Sequence, residues 1–160
     1  MSHTAYVALG ANLDDPQSTV RAALIALAQL PATRVTASSS LYRTAPIGLA
    51  GQPDFINAVA ALETDLEPEA LLDALFAVEH EFGRVRIEKN GPRTLDLDLL
   101  LYDAVECDTA RLHLPHPRLH LRAFVVVPLA EIAPGCYVPG RGALSAWLPA
   151  VANQRIERLP

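Results

Sequence analysis

The chain lacks several things, and each absence excludes something. It has two cysteines in 160 residues, Cys107 and Cys136, and they fit no metal or redox spacing. A disulfide-stapled secreted fold is therefore not expected, and reduced thiols in the cytoplasm are. No stretch approaches the roughly 20 apolar residues needed to cross a bilayer. The opening MSHTAYVALGANLDD has no basic run and turns polar too early for a signal peptide. Lysine is nearly absent: arginine supplies 12 of the 13 cations. Neither GxxxxGK[ST] nor GxGxxG occurs, so any nucleotide would be held by side chains and metal, not by a P-loop. There is no internal repeat, low-complexity tract or linker. The formal charge of −5 argues against general nucleic-acid binding.

What is present suits one folded domain, 1–160. Apolar residues make up 51% and charged ones 19%, ordinary for a globular protein and wrong for a disordered one. Thirteen prolines against eight glycines imply stiff loops. The charge is uneven. Residues 83–122 hold seven of the 13 basic residues but six of the 18 acidic ones, a net of +1, which leaves −6 for the remainder. This local excess fits either a solvated loop or an anion site, since arginine's planar fork suits phosphate and carboxylate.

The elements can be read in order. YVAL (6–9) is a short strand, and GAN after it is a turn signal. DDP then opens a helix whose face is Val20, Leu24, Leu27 and Leu30, ended by Pro31. RVTASSSLYRT (34–44) reads as a strand, APIGLAGQP (45–53) as a loop and DFINAVAALET (54–64) as a strand of alternating character. Pro68 and Gly83 bracket a second helix, with Leu71, Leu75, Val78 and Phe82 inward. A charged loop, RVRIEKNGPR, leads to the strand TLDLDLLLY. Of the later segments, AFVVVPLAEIAP fits a strand or a short helix, with Glu131 and the following Ala-Pro favouring a helix, and the last 25 residues read as a partly helical tail. The order β-α-β-β-α-β predicts an α+β, ferredoxin-like fold: an antiparallel sheet with helices on one face and a ligand site on the other.

GPRTLDLDLLLY carries two aspartates in a run shaped like a buried strand. Isolated buried carboxylates are expensive, so Asp96 and Asp98 need an explanation. At i and i+2 they share one face, about 7 Å apart at Cα, while Leu95, Leu97, Leu99 and Leu101 point the other way. Such a pair suits Mg²⁺, which takes one or two carboxylates and completes its shell with water and phosphate oxygens. Alone, Asp-x-Asp is a weak signal, and a strand end with two surface acids is its commoner cause. Arg84, Arg86, Lys89 and Arg93 just before it, and His116 and Arg122 beyond it, favour a metal-bound polyphosphate.

YRTAPIG (42–48), DFINAV (54–59), GRVRIEKNGPRTLDLDLLLY (83–102) and LPHPRLHLRAFVVVPLAEIAP (114–134) together resemble the 6-hydroxymethyl-7,8-dihydropterin pyrophosphokinases of folate biosynthesis. The resemblance implies transfer of pyrophosphate from ATP to the pterin hydroxymethyl group, with release of AMP. It implies two Mg²⁺ on Asp96 and Asp98. It implies Arg84 and Arg93 on the triphosphate as catalytic groups, with Arg86 on a closing loop. Glu79, Arg111, His116 and Arg122 would be further ATP contacts. Thr44, Ile47 and Asn57 would hold the pterin edge, and Phe55 and Phe124 would sandwich its ring. Loops 45–53 and 83–93 would act as flaps. The implied protein is a monomer with two small-molecule partners and no nucleic-acid or membrane partner. Taken singly, Phe55 and Phe124 fit a core, Glu79 a solvated helix face, Arg111 and Arg122 a surface, and His116 a structural role. Asn90 replaces a tryptophan common before GPR, and Phe76 stands where some members are polar. A nucleotidyl transferase, which would release pyrophosphate, and a non-catalytic binding module on the same scaffold are the other classes.

Overall fold

A computed structural model describes residues 2–45, 51–83 and 95–160. Strand β1 (His3–Ala11) is followed by helix α1 (Pro16–Ala28), strands β2 (Thr33–Ser38), β3 (Tyr42–Thr44) and β4 (Phe55–Thr64), helix α2 (Pro68–Glu81) and strand β5 (Asp96–Tyr102). A small hairpin of β6 (Cys107–Asp108) and β7 (His113–Leu114) precedes helix α3 (Ala123–Ile132). The chain ends through a second hairpin, β8 (Tyr137–Val138) and β9 (Gly142–Ala143), two short 3₁₀ turns and strand β10 (Ile156–Arg158). No helix among the described residues is long and apolar enough to cross a membrane.

The local signals act as expected at both early helices. Asp15 caps α1 by accepting from Ser18 N–H and Oγ–H, and Pro16 takes the first helical position. Pro68 opens α2, and Gly83 follows it at φ +69°, a left-handed geometry that glycine tolerates without penalty. GAN is not a turn after all. Gly10 and Ala11 continue β1, because both have partners on β4.

The main sheet is antiparallel, in the order β10-β3-β4-β1-β5, with β2 also paired to β4. The single strand expected over 34–44 is therefore two. β2 pairs with the far half of β4 and β3 with its near half. Ser39 makes the break: its N–H donates to Val59 O, and its Oγ accepts from Val59 N–H, both at 2.9 Å.

Both faces of the sheet are covered, which corrects the expectation of helices on one face only. Val7, Leu9, Ala58, Ala60, Leu62, Leu97 and Leu99 pack against α1 and α2 through Val20, Leu27, Leu71 and Leu75. Ala8, Val59, Leu100 and Leu101 pack against α3 and the C-terminal region through Val125, Val126, Leu129, Val138, Leu144 and Val151. The reason lies in β4. Its residues 56–62 are all buried, so it is not an alternating strand and needs cover on each side. A bulge in β5 completes the arrangement. Tyr6 pairs with Leu101 and Val7 with Leu99, leaving Leu100 as the extra residue. Leu101 therefore joins the α3 side, not the α1–α2 side expected from strict alternation.

α3 is tied to the sheet by one carboxylate. Glu131 accepts from Ser40 N–H at 3.1 Å, Ser40 Oγ–H at 3.0 Å and the Tyr42 hydroxyl at 2.5 Å. Burial alone would raise the Glu131 carboxyl, but the hydrogen bonds from Tyr42 and Ser40 outweigh it and hold it below the ordinary value. Burial and this same carboxylate push the Tyr42 phenol up to about 12. A group depressed in the folded state adds stability above its unfolded pKa of about 4.3 and loses it as pH falls through the folded value. Glu131→Gln is expected to lower stability at pH 7 by about 1–3 kcal/mol. It should also flatten the fall of Tm between about pH 5 and pH 3. Thermal melts across that range would show it; parallel curves for the two proteins would refute the clamp.

Candidate active site

The register sets the floor of the site. Tyr42 on β3, Asn57 on β4, Gly10 on β1 and Asp96 on β5 stand opposite one another in one row across four strands. Opposed residues share a face, so Asn57 and Asp96 lie on the α3 side of the sheet, about 10 Å apart from the strand spacing. One step along the sheet, Val59, Ala8 and Asp98 form the next row, and Thr44 sits opposite Phe55 on the other side. Asn57 and Thr44 are buried, and Asn57 Nδ2 donates to Thr44 Oγ1 at 2.6 Å. Buried without such a partner the amide would be costly, which accounts for a polar residue in this apolar strand.

Gly10 is the low point between amide and carboxylate. A Cβ built there would lie 2.8 Å from Asn57 Oδ1 and 3.8 Å from Phe55 Cδ1. Any side chain would displace the amide, so glycine is needed for close approach. Beyond it, Asn12 is buried and donates through Nδ2 to Gln52 Oε1 and Pro53 O, both at 3.0 Å. It anchors the segment that leads into Phe55.

The other side of the site comes from the start of α3. Arg122 stands just before the helix, with its guanidinium carbon 5.3 Å from the Phe124 ring centroid, a cation–π distance. Burial lowers the Arg122 pKa; the charges of Asp98 and Asp96 oppose that, and Arg118 adds to it. Phe55 and Phe124 are only half-buried, so neither is a filled core position. His116 N–H donates to Leu100 O at 2.9 Å, fixing the Pro-His-Pro segment against β5. Arg118 N–H donates to His116 Nδ1 at 3.2 Å, so the neutral ring carries its proton on Nε2. Burial, then Arg122, Arg118 and His113, push His116 down to about 4.

Glu79 and Arg111, two further expected contacts, are engaged by protein groups. Glu79 is not a solvated helix residue: it is 4% exposed, and its Oε2 accepts from Leu97 N–H at 2.7 Å. It thus braces β5 between the two aspartates, from the α2 side. Arg111 is held on the surface by Glu69 at 3.2 Å and by Asp73, both on α2. Ile47, Arg84, Arg86 and Arg93, like Lys89, Asn90 and most of the two expected flaps, lie outside the described residues. Thr44, Phe55, Asn57, Asp96, Asp98, His116, Arg122 and Phe124 are brought to one face of the sheet and its roof. Gly10, Asn12 and Glu131 were not anticipated. The signals were a glycine and an asparagine closing an apolar strand, and one acid in an otherwise apolar helix.

Among the described residues no three His, Cys, Asp or Glu side chains form a metal-binding group. Two carboxylates on one rigid strand nevertheless fit Mg²⁺, whose remaining ligands are water and substrate oxygens. The guanidinium of Arg122 beside them suits an anionic ligand in the same place.

The comparisons decide the family. The model of the family described as 7,8-dihydro-6-hydroxymethylpterin-pyrophosphokinase (HPPK) matches residues 6–134. The chain belongs to the HPPK family. It is 50% identical over 160 residues to the 2-amino-4-hydroxy-6-hydroxymethyldihydropteridine pyrophosphokinase of Pseudomonas aeruginosa, covering 100% of this chain and 99% of that one. It is 44% identical over 156 residues to the protein of the same name from Haemophilus influenzae, covering 98% of each. A crystal structure of Plasmodium falciparum HPPK-DHPS, a triple mutant with STZ-DHP, superimposes with a TM-score of 0.75 at 11% identity. That match covers 94% of this chain and 43% of the other, and it shows the fold alone. Family membership makes the chain an ATP-dependent pyrophosphokinase, a transferase.

The electrostatics of His116 can be checked directly. Its ring is expected to titrate near pH 4 and to hold the Nε2–H tautomer at neutral pH. A histidine depressed in this way adds stability above the unfolded pKa of about 6.5 and loses it as pH falls toward the folded value. Ring nitrogen NMR would report both; titration near 6.5 would contradict this placement.

Proposed function

We propose that the HPPK-family chain transfers pyrophosphate from ATP to the hydroxymethyl oxygen of 6-hydroxymethyl-7,8-dihydropterin, a step of folate biosynthesis, with AMP as the second product. The observation that carries this reading is the single sheet face on which Asn57, bonded to Thr44 of the next strand, stands two strands away from Asp96 and Asp98, across the floor at Gly10. One side can hold a flat heterocycle by its polar edge, and the other can hold a polyphosphate.

The residue roles follow from that division. Asn57, Thr44 and the segment at Ile47 receive the donor and acceptor edge of the pterin, and Phe55 and Phe124 stack on its faces. Asp96 and Asp98 would hold two Mg²⁺. Bound there, the ions supply neutralisation of the triphosphate and a lowered pKa for the hydroxyl. Arg122 and the neutral His116, with its Nε2–H, donate to phosphate oxygens. Arg84, Arg86 and Arg93 contribute further positive charge, with Arg111 and Glu79 on the nucleotide side. The hydroxyl oxygen bonds to the β-phosphorus, the bond from that phosphorus to the α–β bridging oxygen breaks, AMP departs, and the hydroxyl proton leaves to solvent. Catalysis is then mostly positioning and electrostatics. The reading further takes the chain as one domain, a cytoplasmic monomer with no nucleic-acid or membrane partner. It takes the core as ferredoxin-like, supported by the order β2/β3, β4, β1, β5 in its sheet.

The test is a product assay with MgATP and the reduced hydroxymethyl pterin. Pterin-dependent AMP without ADP is expected; ADP would mean an ordinary kinase, and pyrophosphate a nucleotidyl transferase. Asp98→Ala should fold normally and lose turnover by roughly 10²–10³-fold; near-normal turnover would sink the two-metal reading. Gly10→Ala should raise the KM for the pterin about tenfold, since the added methyl displaces the Asn57 amide. An unchanged pterin KM in that variant would remove Asn57 from the pocket.

A further inference from the structure

The segment 154–158 lies beyond the residues matched by the family model, yet it touches three site-bearing elements in succession. Gln154 Oε1 accepts from Ala123 N–H at 2.8 Å, and Gln154 Nε2 donates to Leu121 O at 2.8 Å. Arg155 pairs with Asp54 at 2.8 Å, the residue before Phe55. Ile156, Glu157 and Arg158 then pair with Thr44, Arg43 and Tyr42.

The Gln154 contacts have a specific consequence. The first N–H groups of a helix have no partner within it, and a Ser, Thr, Asp or Asn just before the helix usually supplies one. α3 has Arg122 in that position, and its side chain makes no capping bond. Its guanidinium lies over the Phe124 ring instead, where the charges of Asp98 and Asp96 act on it. Gln154 supplies the missing acceptor from 31 residues away, and its amide nitrogen holds the carbonyl on the other side of Arg122. The backbone at Arg122 is extended, at φ −123° and ψ 118°, and joins a 3₁₀ turn to α3. Such a junction has no regular hydrogen-bond ladder of its own to set its angle.

We propose that Gln154 is a positioning residue of this enzyme: by clamping the backbone on both sides of Arg122, it aims the guanidinium across Phe124 at the Asp96–Asp98 end of the sheet. The proposal rests on the reading of Arg122 as a contact to the substrate phosphates. It gives the C-terminal segment a task in catalysis, as a strap across the back of the site. The strap's other contacts, to Asp54 and β3, hold the pterin side and leave the Arg122 junction to Gln154.

The test uses the full-length chain with Gln154→Ala, Arg122→Ala and the double variant. Gln154→Ala is expected to fold with an unchanged circular dichroism spectrum and to lose about tenfold in kcat/KM for pterin-dependent AMP formation. In the Arg122→Ala background the same change should cost less than about twofold, because the residue it positions is gone. Amide exchange at Ala123 should be slow in the parent and faster in Gln154→Ala. Parent-like kinetics in Gln154→Ala, or a full tenfold loss in both backgrounds, would overturn the positioning role. Unchanged Ala123 exchange would overturn the clamp whatever Arg122 does. Normal turnover in Arg122→Ala would overturn the phosphate role of Arg122, and with it any need to position the side chain. Exchange at Ala123 still reports separately on the clamp, so the two failures are distinguishable.

Discussion

The site depends on the register of β1 between β4 and β5. Gly10 opposes Asn57 on one side and Asp96 on the other, so backbone hydrogen bonding alone fixes amide, floor and carboxylate in one row. A slip of one residue would turn either polar group into the α1–α2 core. That slip is opposed by the apolar residues of the same strands. Val7, Leu9, Ala58, Ala60, Leu97 and Leu99 must all face α1 and α2 for the core to close. Site geometry and core packing are therefore one constraint. The bulge at Leu100 reconciles the two halves of β5, which presents carboxylates at one end and leucines to α3 at the other.

Around this frame Asn57, Glu131 and Asn12 are partnered, and each bond joins elements that the site needs together. Asn57 binds Thr44, joining β4 to β3. Glu131 gathers Ser40 and Tyr42, joining α3 to the chain that enters β3. Asn12 holds the approach to Phe55. The low dielectric makes each such bond stronger and its loss dearer, so these groups set the geometry more sharply than apolar contacts alone. The charge pattern has a similar logic. The chain carries −5 overall, yet burial, with Arg122 and Arg118 adding to it, keeps His116 neutral. A bound phosphate would offset those two charges, which ties anion binding to the protonation of the ring.

Much of this was legible in the sequence, and the remainder has physical causes. Both early helices were readable because their ends carry their own signals, Asp15-Pro16 and Pro68 with Gly83. The aspartate pair was readable because strand periodicity alone places i and i+2 on one face. The break at Ser39 was not, since it depends on Val59 being its partner. Nor was the bulge, since no residue type demands an extra leucine at position 100. The cover on the second face was underestimated because AVAAL in β4 can be read as alternating or as buried throughout, and only α3 decides between them. β10 and Gln154 left no trace at all: a short polar segment becomes a strand and a cap only through tertiary contact.

The position of Glu79 shows why the aspartate strand can be trusted to hold its spacing. Among the described residues β5 is at the edge of the sheet, where one row of backbone groups has no neighbouring strand. Edge strands ordinarily fray, and a frayed strand could not hold two carboxylates at a fixed separation. Glu79 reaches from α2 and takes the N–H of Leu97, the residue between the two aspartates, while His116 N–H takes the carbonyl of Leu100 further along. A buried carboxylate is costly unless it is hydrogen-bonded, and the Leu97 amide is one group that bonds it. Its placement makes sense if rigidity at that point is what is required. An apolar residue at 79 would pack from α2 onto β5 but leave the Leu97 N–H without this acceptor between the two acids. The acid on the helix and the acids on the strand then form one arrangement: the Glu79 carboxylate holds the backbone between the two aspartates.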